Sequence, residues 1–220
     1  MYQWKFQSLK GIKEFDEALL KKIHEIFLEG FGLKEGWSLD GIRNRLQNST
    51  LLGLLSDGNE IFGYSIFSVP NIPLKDKYLL WEDSICVQKN IQGKKLSIKA
   101  IEGAFNSFPK LQFGWVGGRT QNPIVFKRYA GFGKLFPFDA TYSDDEGKRV
   151  MAYLLQNISE VKEVEKIDLS TGICFNFYSE GRLGSYSLAI KGIERFEEKL
   201  RKWNFYRDRG DCIIVISKIS

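Results

Sequence analysis

Apolar positions recur along the chain with two different periods, and the switches between them outline a mixed α/β fold. The first segment, "YQWKFQSL", alternates aromatic and polar residues, the two-residue repeat of a half-buried strand. In "IKEFDEALLKKIHEIFLEGFG" the period becomes helical: Ile12, Phe15, Leu19, Ile23, Ile26 and Phe27 share one face, and Gly30 and Gly32 end the run. Ser38 stands as N-cap of a second helix, "SLDGIRNRL". "LLGLLSDGNEIFGYSIFSV" sets two apolar runs around Asp57-Gly58, a hairpin signature. "YLLWEDSICV" reads as another strand and leads into "VQKNIQGKKLSIKAIEGAF", a short loop followed by a helix. The apolar face of that helix is Leu96, Ala100, Ile101, Ala104, Phe105 and Phe108, with Lys94, Lys95, Lys99 and Glu102 outside it.

Pro109 closes this helix, and "LQFGWVGG" is the next strand. "NPIVFKRYAG" predicts a short helix with Asn122 as N-cap and Pro123 at the first helical position, where proline is favoured. "DDEGKRVMAYLLQNISEVKEVEKI" and "IERFEEKLRKWNFY" predict two further helices, and "CIIVISKI" a terminal strand. The order implies an α/β (α+β) chain, a mixed sheet flanked by helices. No repeat, low-complexity tract or linker interrupts it. The expectation is a single domain over residues 1–220, with an irregular or elaborated segment at about 140–192.

Composition narrows the function classes. A chain with 17 Phe, 9 Tyr and 5 Trp is too aromatic for disorder. The 32 basic residues against 27 acidic ones give a net charge of +5, which suits an anionic ligand. It falls short of the dense basic stripe of a nucleic-acid binder, so no nucleic acid is expected. Cys86, Cys174 and Cys212 lie far apart among apolar residues, and His24 is the single histidine, so no metal site is expected. Buried free thiols in a reducing cytosol are the preferred reading, which makes the protein cytoplasmic. The N-terminus lacks the apolar core of a signal peptide, and no run of about 18 apolar residues exists to span a membrane.

The stretch from Val87 resembles the cofactor loop of the GNAT superfamily, the acetyl-CoA-dependent N-acetyltransferases. That family has a strand ending in Val, a short loop, then Q/R-x-x-G-x-G/A opening a long helix. Here Val87 ends the strand, Gln92 and Gly93 hold the register, and Lys95 and Ser97 replace the two signature glycines. Downstream, "GRTQNPIVFKRYAGFG" carries Asn122 and Tyr129 at the family's spacing of an Asn and a Tyr on a short helix, though Gly131-Phe132 comes early. The resemblance covers roughly Ile61 to Phe138 and does not extend through residues 140–192. It implies a mostly antiparallel central sheet and acetyl-CoA as cosubstrate.

A pyrophosphate needs converging backbone N–H donors, which the first turn of a helix leaves free, and glycines let the backbone approach it. By resemblance the cofactor would lie against Cys86, Val87, Gln92, Gly93, Lys94, Lys95, Leu96, Ser97 and Asn122. Lys95 and Ser97 must turn their side chains away from it. Lys94, Lys95 and Lys99 also read as an ordinary solvated helix face. Acetyl transfer needs a deprotonated amine, a polarised thioester and a stabilised thiolate. The resemblance gives the thiolate's acid to Tyr129, which otherwise reads as a buried ring with a wet hydroxyl. The base is Glu82 or Asp83 on the preceding strand, or a water relay. Cys86 reads as small apolar packing rather than as a nucleophile, and His24 as a helix-surface or packed residue.

On the acceptor side, Glu29, Glu35, Trp37 and Asp40 could hold an ammonium group by charge and by cation–π contact. Phe175, Phe177, Tyr178, Glu180, Arg182 and Tyr186 could line a partly apolar pocket or the inner face of a hairpin. The leading expectation is an N-acetyltransferase acting on a primary amine of a small molecule or peptide, with a homodimer as one option for its assembly. A catalytically weak acyl-CoA-binding module and a nucleic-acid-binding α/β domain are the alternatives.

Overall fold

The aromatic–polar alternation at the N-terminus forms strand β1 (Gln3–Ser8), which pairs antiparallel with β2 (Leu51–Ser56), Gln3 opposite Ser56 and Ser8 opposite Leu51. The computed structural model describes residues 1–33, 37–139, 145–162, 164–178, 184 and 191–220. These residues gather into two units, one of Met1–Val69 with Glu82–Leu111, the other of Pro70–Trp81 with Gln112–Ser220. Together the elements give a mixed sheet flanked by helices, as the sequence predicts.

In the first unit β2 turns back through Asp57-Gly58 into β3 (Ile61–Ser68), and β4 (Tyr78–Val87) lies beside β3. The turn is built as its sequence suggests. The Asp57 carboxylate accepts the amides of Asn59 at 3.0 Å and Glu60 at 3.1 Å, which holds its pKa below the usual carboxylate value, and Gly58 takes φ 111°. Helices α1 (Glu17–Phe31) and α2 (Leu39–Asn48) bury Leu20, Ile23, Ile26, Phe27, Ile42 and Leu46 against Leu52, Tyr64 and Ile66 of the sheet. Helix α3 (Leu96–Asn106) packs with β1, and the indole N–H of Trp4 donates to the Leu96 carbonyl at 3.0 Å.

In the second unit β9 (Cys212–Ile219) is the central strand. It pairs antiparallel with β5 (Phe113–Thr120) and with the short strands β6 (Gly133–Phe136) and β8 (Ile173–Cys174), and β8 pairs with β7 (Ile167–Asp168). Its helices are α4 (Pro123–Ala130), α5 (Asp145–Asn157), α6 (Ser159–Lys162) and α7 (Glu194–Lys202). Trp81, Trp115, Phe136, Val150, Leu154, Ile214 and Ile216 form its main core. Phe138 meets Phe126 at 5.3 Å and Phe196 at 4.9 Å between ring centroids.

Three local expectations are corrected. The first helix begins at Glu17 rather than near Ile12, because Asp16 accepts the amide of Ala18 and caps it. The helix expected after residue 144 breaks into α5 and α6 after Asn157, whose side-chain amide donates to the Tyr153 carbonyl at 2.8 Å and so competes with the helix ladder. Strands β7 and β8 stand within the segment expected to be irregular or elaborated, and β6 is a strand that the expected order of elements lacks.

Candidate active site

β4 ends at Val87, and one turn of helix at Lys89–Ile91 carries the chain to Gln92 and Gly93. Gly93 sits at φ 82°, with open space where a side chain would project. Lys95 follows as the N-cap of α3, at φ 56° and ψ 22°, in the left-handed region. The backbone therefore keeps a glycine's conformation at the position of the first replaced glycine, and the lysine adopts it at a cost of ~1–2 kcal/mol. Lys94 and Lys95 are exposed and Ser97 half-buried. Lys94 Nζ stands 5.5 Å from the centre of the Tyr2 ring.

Lys95 makes no side-chain cap, and its carbonyl accepts the amides of Ile98 at 3.2 Å and Lys99 at 3.3 Å. The amides of Leu96 and Ser97, in the first turn, have no acceptor within the helix. With the dipole of an eleven-residue helix behind them, these donors suit an anion. The backbone thus fits a pyrophosphate: donors at the helix start, no Cβ at Gly93, and side chains at Lys94 and Lys95 that leave it for solvent.

Gln92 behaves differently from the expectation of a cofactor contact. Its side-chain amide donates to the carbonyl of Gly30 at 2.9 Å and to that of Val87 at 3.1 Å, tying the loop to α1 and to the end of β4. Nothing in the sequence announces these two bonds, since Gly30 lies far from Gln92 in the chain.

On β4, Ser84 and Cys86 are buried and Glu82 is half-buried. The Ser84 hydroxyl and the Tyr64 hydroxyl share a hydrogen bond at 3.1 Å, and burial holds the Tyr64 pKa well above the usual phenol range. Cys86 is packed, as expected. Its thiol donates to the Ile26 carbonyl at 3.4 Å, and burial, then the charge of Glu29, pushes its pKa up, away from a nucleophilic thiolate. Asp83 is more elaborately held than the sequence suggests. One carboxylate oxygen accepts the hydroxyls of Ser49 at 2.9 Å and Ser68 at 2.6 Å, and its backbone carbonyl accepts from Arg45 at 3.1 Å.

Asn122 and Tyr129 belong to the second unit. Asn122 caps α4, its side-chain oxygen accepting the Ile124 amide at 3.1 Å, and its own amide donates to the Thr120 hydroxyl at 2.9 Å. Gln121 beside it donates to the Asp211 carbonyl at 2.7 Å, so the start of α4 is fixed to β5 and to the approach to β9. Tyr129 is fully buried, and the expectation of a wet hydroxyl is corrected. The Arg128 guanidinium lies 5.0 Å from its ring centre.

The acceptor-side expectations change most. Trp37 stacks on Phe27 at 4.4 Å, and the Arg45 guanidinium lies 4.0 Å from its ring centre, so both ring faces are occupied and none remains for a substrate ammonium. Asp40 is paired with Arg43, which also reaches Glu17. In the second unit Phe177 carries the Arg119 guanidinium at 3.6 Å and meets Tyr178 edge-on, while Arg209 stands 5.2 Å from Phe175. These aromatics serve the protein's own arginines. Glu35, Glu180, Arg182 and Tyr186 lie outside the described residues.

No protein-family model and no curated protein matches the sequence. Solved structures do. The ribosomal-protein-S18-alanine N-acetyltransferase from Escherichia coli is 13% identical, with a TM-score of 0.51 over 99% of this chain and 95% of that one. An IAA acetyltransferase from Bacillus cereus is 13% identical over the whole of both chains, with a TM-score of 0.49. An aminoglycoside acetyltransferase from an uncultured soil metagenomic sample is 16% identical over 55% of this chain and 78% of that one, with a TM-score of 0.43. The likeness to the S18-alanine enzyme, nearly end to end in both chains, shows the fold: the chain has the GNAT, or acyl-CoA N-acyltransferase, fold. No helix among the described residues is long and apolar enough to cross a membrane.

Proposed function

We propose that this chain is an N-acetyltransferase that moves an acetyl group from acetyl-CoA to a primary amine of a peptide or small molecule. One observation carries the reading. Lys95, at the place of the first signature glycine, holds the left-handed conformation that a glycine would take there, and Gly93 beside it leaves open space, which supports a loop able to receive a pyrophosphate. Gly93, Lys94, Lys95, Leu96 and Ser97 would present the phosphate-facing backbone, with Cys86 and Val87 at the end of β4. Acetyl-CoA supplies an acyl group already activated as a thioester.

Attack of the neutral amine on the thioester carbonyl forms the amide and releases the thiolate, so one proton leaves the nitrogen and one must reach the sulfur. The resemblance gives the first proton to Glu82, half-buried on β4, and the second to the hydroxyl of Tyr129. Asp83 is committed to structure instead, one of its carboxylate oxygens accepting the hydroxyls of Ser49 and Ser68. The likeness to the ribosomal-protein-S18-alanine N-acetyltransferase makes alanine-bearing peptides the first acceptors to try, in a panel of peptides and small primary amines.

A weak acyl-CoA-binding module is the second reading, favoured by the strained lysine at position 95. A thiol-release assay over that panel separates the two, since only an enzyme liberates CoA faster with an amine present. Tyr129→Phe should then lower turnover about a hundredfold, the scale of a lost general acid, while cofactor affinity holds. Unchanged turnover removes Tyr129 from the mechanism.

A further inference from the structure

Gln92 spends both hydrogens of its side-chain amide on two backbone carbonyls from different elements, Gly30 of α1 and Val87 of β4, at 2.9 and 3.1 Å. The Val87 carbonyl also has the Cys86 thiol, a weak donor, at 4.0 Å. Gly30 lies in the last turn of α1, where the final carbonyls have no acceptor role left within the helix. The neighbouring Glu29 and Leu28 carbonyls are served by the amides of Gly32 and Leu33. Val87 is the last residue of β4. The two elements meet very closely here, for a side-chain carbon at Gly30 would fall 2.7 Å from the Val87 oxygen. That approach brings both carbonyls within reach of one amide.

We infer that Gln92 is a positioning residue. It clamps the loop of residues 88–95 to the C-terminal end of α1 and to β4, and so holds the amides of Leu96 and Ser97 in place before an anion arrives. The inference deepens the cofactor-loop reading and rests on it for its ligand, not for its geometry. Because α1 is one of the two clamped elements, order in the loop and order in the last turn of α1 are gained and lost together.

Donor chemistry gives a sharp test. Leucine has the shape of glutamine without its donors, glutamate has acceptors only and would face two carbonyls, and arginine can donate to both. In the ligand-free proteins, Gln92→Leu and Gln92→Glu should raise amide hydrogen exchange together over residues 28–33 and 93–98, while Gln92→Arg restores protection. CoA, titrated by calorimetry, should bind about tenfold more weakly to Gln92→Leu, the effect of two partly exposed hydrogen bonds, and within about twofold of wild type to Gln92→Arg. Unchanged exchange over residues 28–33 in Gln92→Leu overturns the clamp, whether or not CoA binds. Altered exchange with undiminished CoA affinity overturns its role in the cofactor site. A wild-type protein that ignores CoA, with exchange altered as expected, overturns the cofactor reading and leaves the clamp standing.

Discussion

A single backbone conformation decides how the altered loop is read. Lys95 at φ 56° carries strain that a glycine would not. Replacing it by glycine removes that strain of ~1–2 kcal/mol and adds unfolded-state entropy worth ~1 kcal/mol. Lys95→Gly should therefore melt at or slightly above the wild-type temperature, although a mid-loop lysine-to-glycine change ordinarily destabilises. A drop of several degrees would mean that the lysine side chain contributes more than its backbone costs. Gly30 makes the opposite case. A methyl group there meets the Val87 carbonyl and the Cys86 thiol, so Gly30→Ala should cost ~1–3 kcal/mol in denaturant unfolding. Both glycine-like positions were visible in the sequence as positions, Gly30 as a helix end and Lys95 as a replaced glycine. Their physical demands were not. Gly30 ends no helix; it admits a strand.

Elements with long, regular patterns were legible, and those set by distant partners were not. α1, α3 and the β2–β3 hairpin follow from periodicity, an N-cap and Asp57-Gly58. β7 and β8 are two residues each, too short to show a period; β9 offers an edge to β8, and β8 in turn offers one to β7. The same pairing sets Cys174 opposite Cys212, two thiols that sequence distance had separated. α5 is tied down by charge: Glu146 meets Lys75 at 2.9 Å and Lys218 of β9 at 3.0 Å. Those two bonds hold the Glu146 carboxyl below its usual 4.5. A carboxyl lowered by folding adds stability above its unfolded value, and the contribution fades as pH falls through the folded one. The melting-temperature gap between wild type and Glu146→Gln should thus be largest near neutrality and close in acid below that usual value. A gap independent of pH would assign the effect to packing instead.

For the whole molecule, the order of elements carried the fold, while the chemistry rested on two short motifs. The fold is confirmed by the likeness to the S18-alanine enzyme, which at 13% identity reaches across both chains. On the acceptor side, aromatic and acidic residues look alike in sequence whether they face a ligand or the protein's own arginines. Trp37 between Phe27 and Arg45, and Phe177 under Arg119, show the second arrangement. The loop after β4 could be located in the sequence through Val87, Gln92 and Gly93, the two bonds of Gln92 could not, and the proposed function hangs on whether the loop binds a pyrophosphate. Calorimetric titration with acetyl-CoA tests this most directly. The account predicts a saturable one-to-one isotherm in the micromolar range, weakened by added salt as expected for pyrophosphate bound at a helix start beside lysines. An absence of heat and of competition by CoA at high micromolar concentration would contradict it.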